Sequence, residues 1–169
     1  MTTAHSHVLA PEVLKHLDEQ IGSARRLLAS ILEQGKAIRA QDVEGVMSRL
    51  ADIKTEMDLR ARLEADRVII LTRAGAELGV QPAGVTLEGL TTLMSPVEAD
   101  LARARSAELR GLLDEIAREH GVNRALMRQE LSFLDHLMRL VGQDAEAGYT
   151  PNGQGPSTPG SHRVLDLQA

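Results

Sequence analysis

The chain has 169 residues, 43% hydrophobic and 25% charged, with a formal net charge of −5 and no cysteine. Those values fit one domain or a single helical unit. They exclude a disulfide framework and thiol chemistry, and an acidic balance argues against DNA or RNA as a partner. Phe133 and Tyr149 are the whole aromatic complement, so there is no platform on which bases would stack. The core must be built from Leu, Ile, Val, Met and Ala, a composition suited to helix-on-helix packing. MTTAHSHVLAPEV at the start lacks the basic patch and apolar run of a signal peptide, and no stretch approaches a membrane span. A cytoplasmic protein is the expectation.

Pro11 suits the first position of a helix, and residues 1–8 are read as a flexible N-terminus. Leu14, Leu17, Ile21, Ala24, Leu28, Ile31, Gly35 and Ile38 then recur in alternating steps of three and four, the heptad rhythm of a coiled coil. The spacing predicts a first helix over 11–39. Asp42 is a fitting N-cap for a second, over 42–78, in which Val43, Val46, Leu50, Ile53 and Met57 continue the rhythm. Gly79 supplies a stop. Pro82 and Gly84 mark a loop. A short helix follows over 86–94, with Leu87, Leu90 and Leu93 as a docking edge. Ser95-Pro96-Val97-Glu98 has the form of a capping box with proline at the first helical position, and opens a third long helix over 96–141. His120-Gly121-Val122-Asn123 is its weak point, where a bend or hinge is expected.

The predicted fold is therefore all-α: an elongated antiparallel helical hairpin or coiled-coil bundle of three long helices and one short one. The helical domain is assigned to 9–142. Residues 143–169, rich in Gly, Pro, Ser and Asn, are read as a disordered tail.

Catalytic chemistry is hard to find. His5 and His7 fall in the flexible start, and His16 is read as a partly exposed surface residue beside the first apolar stripe. A di-iron bundle needs paired Glu-x-x-His motifs with further glutamates, and none is present. KHLD around His16 and DHLM around His136 set an acid beside each histidine, which would repel a phosphoryl group. No clustered metal ligands, P-loop, dinucleotide-binding glycines or nucleophile elbow occur. No enzyme activity, metal or cofactor is expected.

The last predicted helix carries the most distinctive pattern. Met127, Leu131, Leu134, Met138 and Val141 lie along one face, and Leu126, Phe133, Leu137 and Leu140 lie beside it. Such a wide apolar arc asks for two neighbours, or for one neighbour and a partner. One reading buries it in the core. The other leaves part of it for a partner helix, held by the i, i+3, i+4, i+7 anchors of helix-in-groove recognition, with methionines that adapt to different surfaces.

The layout resembles the FlgN-type flagellar export chaperones. QGKAIRAQDVEGVMSRLADIKTEM is similar to that family's first-to-second helix junction. LGV followed by TLEGLTTL resembles its mid-chain loop and short helix. NRALMRQELSFLDHLMRLV resembles its C-terminal helix, and GYTPNGQ the turn that follows. The match covers roughly Leu9 to Gln154, with His120-Gly121 as a departure from an expected run of helix formers. The resemblance implies a cytoplasmic chaperone that holds the C-terminal helical segments of the hook–filament junction proteins FlgK and FlgL. It also implies delivery to the export components FlhA and FliJ. It points to Leu126, Met127, Leu131, Phe133, Leu134, Leu137, Met138, Leu140 and Val141 as the substrate-binding surface. The competing readings are a different export adaptor, a structural coiled-coil homodimer with no export substrate, and a peripheral membrane helix. The last has too poor a basic face over Leu126–Val141 to be attractive.

Overall fold

The computed structural model describes the backbone of residues Thr3–Ala147 and the side chains of residues Leu9–Arg139. Four helices follow one another: α1 (Thr3–Arg39), α2 (Val43–Leu78), α3 (Leu87–Thr91) and α4 (Pro96–Ala147), with a single 3-10 turn at Pro82–Gly84. Among the described residues there is no strand. The chain divides after Gln129 into two compact units, so that α4 contributes to both.

Among the long helices, two ends differ by more than a residue from the sequence reading. α1 begins at Thr3, not Pro11, and Pro11 lies inside it. The reason is tertiary. Leu9, Ala10 and Val13 are almost fully buried, and Leu9 and Val13 form a cluster with Ala74 and Leu90. Burial of that order outweighs the hydrogen bond a proline removes. At the other end, α4 passes through Gly142 to Ala147, so residues 143–147 are helical. The rest of the expected tail lies outside the described residues.

α1 is the central element of the first unit, because it is buried on two sides. Against antiparallel α2, Ser23 Oγ donates to Glu56 Oε2 at 3.1 Å and Arg26 Nε to Glu56 Oε1 at 2.6 Å. Arg73 pairs with Glu12 nearer the other end. Against α4, Arg105 pairs with Asp18 at 2.6 Å, and Arg25 with Glu108. The predicted stripe supplies Ile21, Ala24, Ile31, Gly35 and Ile38 to this interior. A second set, Leu9, Val13, His16, Gln20, Ser23 and Leu27, is buried as well. A helix with two packed neighbours needs both sets.

Three helix ends are closed by the residues expected to close them, at Asp42, Gly79 and the Ser95–Glu98 box. Asp42 accepts from Gly45 N at 2.9 Å and caps α2. Gly79 ends α2 at φ 69°, a left-handed conformation that glycine adopts without the Cβ penalty. Thr86 caps α3, which is shorter than the predicted segment, although Leu90 is buried and Leu93 packs on the Leu9/Ala74 cluster. Ser95 and Glu98 close the capping box, Ser95 N donating to Glu98 Oε2 at 2.9 Å and Glu98 N to Ser95 Oγ at 3.4 Å.

The helix runs on unbroken through His120–Asn123. Asn123 is 1% exposed. Its side-chain amide donates to Ile31 O at 2.8 Å and lies 3.4 Å from Gln34 Oε1. A Cβ on Gly35 would stand 2.6 Å from Asn123 Oδ1, so Gly35 is what lets α1 and α4 approach here. Asn123, within the stretch read as a weak point, thus forms a buried polar lock between the helices, seated over Gly35.

Candidate functional site

The sequence placed its candidate surface on the last turns of α4, and those turns are helical throughout. Leu126 and Met127 are half-buried. Leu131 is 65% exposed, Phe133 55%, Leu134 54%, Leu137 39% and Met138 73%. The side chains of Leu140 and Val141 lie outside the described ones, though their backbone is helical. At 3.6 residues per turn, the nine positions sweep roughly half of the helix circumference. The opposite side carries Ser132, Asp135, His136 and Arg139, and Arg139 Nη2 pairs with Asp135 Oδ2 at 2.6 Å one turn away. The charges are satisfied within the helix while the large apolar side chains face solvent. A contiguous exposed apolar patch rimmed by polar residues often marks an interaction surface.

The second helix departs from its expected part. The stripe of Val43, Val46, Leu50, Ile53 and Met57 is split. Val46 and Ile53 are half-buried, whereas Val43 (75%), Leu50 (49%) and Met57 (53%) are exposed. The face turned to α1 is instead marked by Glu56, Leu63, Ile70 and Ala74. The signal for this was present: Leu63, Ile70 and Ala74 continue an apolar series in steps of seven and four that a reading anchored on Val43 passed over.

His16 also departs from expectation. It is 8% exposed, packed between α1 and α2, with Gln20 Nε2 3.2 Å from its Nε2. Burial pushes its pKa below the ordinary 6.5, against the pull of Glu19, Asp66 and Glu64. It is a core residue. Among the described residues no group of His, Asp and Glu is arranged to hold a metal ion, and no helix is long and apolar enough to cross a membrane.

A family model described as FlgN protein matches residues 1–157. The chain belongs to the FlgN family. FlgN proteins are flagellar export chaperones, and the helical layout read from the sequence is the layout found. Neither a curated protein nor a solved structure matches this FlgN-family chain. The match spans α1 to α4, including the whole exposed arc on the last turns of α4.

Proposed function

We propose that this FlgN-family chain is a cytoplasmic chaperone of flagellar type III export that binds the C-terminal helical segments of FlgK and FlgL, prevents their premature assembly and hands them to the export apparatus through FlhA or FliJ. The observation that carries the reading is the solvent-exposed apolar arc of Leu131, Phe133, Leu134, Leu137 and Met138 on α4. An amphipathic helix laid along it removes apolar surface of both partners from water. At about 25 cal/mol per Å², a few hundred Å² contributes several kcal/mol, less the ordering of both partners. The net suits a complex that must later release its cargo. Met138 and Met127 give the surface the adaptability to hold two related helices.

The test is calorimetric titration of purified FlgK and FlgL into the intact chain and into the Leu134→Asp and Met138→Asp variants. The expected result is binding near micromolar or tighter, about −8 kcal/mol, weakened at least tenfold by either substitution with helical content unchanged. Failure of the intact chain to bind either protein defeats the proposal.

A further inference from the structure

The apolar arc of α4 has a charge inside it. Around the helix axis, at about 100° per residue, position 130 falls between Leu134 and Leu137. The neighbours of Glu130 one turn away in either direction are Leu126, Met127, Phe133 and Leu134, and all belong to the arc. At the helical spacing where a lysine or arginine would pair with it, Glu130 therefore meets only apolar side chains. It is half-buried, and among the described residues it has neither a hydrogen bond nor an ion pair.

Other carboxylates of the same helix are placed differently. Asp100, Glu108, Glu115, Glu119 and Asp135 each pair with an arginine. Asp114 is exposed, with Arg110 and Arg118 one turn away on either side. Glu130 has neither the ion pair of the first group nor the neighbouring arginines of Asp114. A helix docked on the arc would cover it together with Leu134 and Leu137. Water would no longer solvate the carboxylate, and a charge buried without a partner costs far more than an exposed ion pair contributes. A wholly apolar helix is penalised at this point, whereas a helix that brings a cation there is not.

We infer that Glu130 selects the cargo: the amphipathic helix that fits this arc carries a lysine or arginine within its apolar face, and that cation meets the Glu130 carboxylate and fixes the register. The inference rests on the reading of the arc as the cargo surface, and adds the chemistry the cargo must have. Direction is fixed as well. Glu130 stands four residues from Leu126 at one end of the arc, and Leu137 four from Val141 at the other. A helix laid the other way round would set its cation on Leu137.

The test is calorimetric titration of FlgK and FlgL into the intact chain and into its Glu130→Gln, Glu130→Leu and Glu130→Lys variants, with urea unfolding run beside it. The urea midpoints are expected to match the parent's, because the carboxylate has no partner in the fold and all four side chains suit a helix. Binding is expected to weaken at least tenfold in Glu130→Gln and Glu130→Leu, and further in Glu130→Lys, which sets cation against cation. Changing one lysine or arginine of the cargo's C-terminal helical segment to glutamate should restore binding by Glu130→Lys while weakening binding by the parent. A purely apolar arc gives the opposite sign: Glu130→Leu would extend it and tighten binding, and that result overturns the inference. So does a loss in Glu130→Lys that no such cargo reversal restores. Failure of the intact chain to bind either protein is a separate result, which defeats the reading of the arc and this inference with it.

Discussion

At the residue scale the first unit depends on a small number of buried polar groups. Asn123 donates to a backbone carbonyl of α1 from a fully buried position, and Gly35 is the matching absence of a side chain. Asn123→Ala removes the lock and leaves a cavity, and should lower stability by about 1–3 kcal/mol. Gly35→Ala drives a methyl into Asn123 Oδ1 and should also destabilise. Because the two act on one contact, the double variant should lose less than the sum of the single losses, as read from urea midpoints. His16 makes a different prediction. Its folded pKa is depressed by burial, so between that value and about 6.5 the unfolded chain binds more protons. Stability is fully present above about pH 6.5 and declines as pH falls through the window below it. His16→Gln should flatten that acid-side slope in urea titrations run at several pH values. An unchanged slope would place its origin among the carboxylates.

At the element scale, helix ends are set by packing partners in one case and by caps in others. α1 is extended toward its N-terminus because Leu9 and Val13 are received by Ala74 and Leu90, even though Pro11 on its own would start a helix. α4 is set by its first turn: Ser95 and Glu98 cap each other reciprocally. Ser95→Ala should lower the melting temperature, by an amount equivalent to about 1 kcal/mol. It should do so without affecting the exposed arc, whose residues lie many turns further on. α1 has 37 residues and α4 has 52, so a neighbour of α1's length cannot line α4 from end to end. Partners across the α1–α4 seam are 83 to 92 residues apart in sequence.

At the scale of the whole molecule, the residues that hold the fold and those assigned to cargo are separable. Leu63 is 5% exposed, and Leu63→Ala should destabilise by about 2–5 kcal/mol. Leu134 is more than half exposed, and Leu134→Asp should change stability by no more than about 0.5 kcal/mol while abolishing capture of FlgK and FlgL. Chemical denaturation followed by helical signal, beside the titration of cargo, separates the two effects. If Leu134→Asp unfolds the chain, the arc is core and the chaperone surface lies elsewhere.

The sequence alone determined the elements and the kind of protein. Helical periodicity, Asp42, Gly79 and the Ser95-Pro96-Val97-Glu98 box act within a turn or two of chain, so their effects are readable one window at a time. The breadth of the apolar arc from Leu126 to Val141 was readable for the same reason, and so was the order of patterns that resembles the FlgN family. Only the tertiary structure decided which apolar faces are used. Whether Val43 or Leu63 turns inward, whether His16 is surface or core, and whether Asn123 is a hinge or a lock depend on which helix lies opposite. An apolar residue has the same periodicity whether its neighbour is present or absent. Exposure is set by contacts between residues far apart in the chain, and those exist only once α1 has packed between α2 and α4.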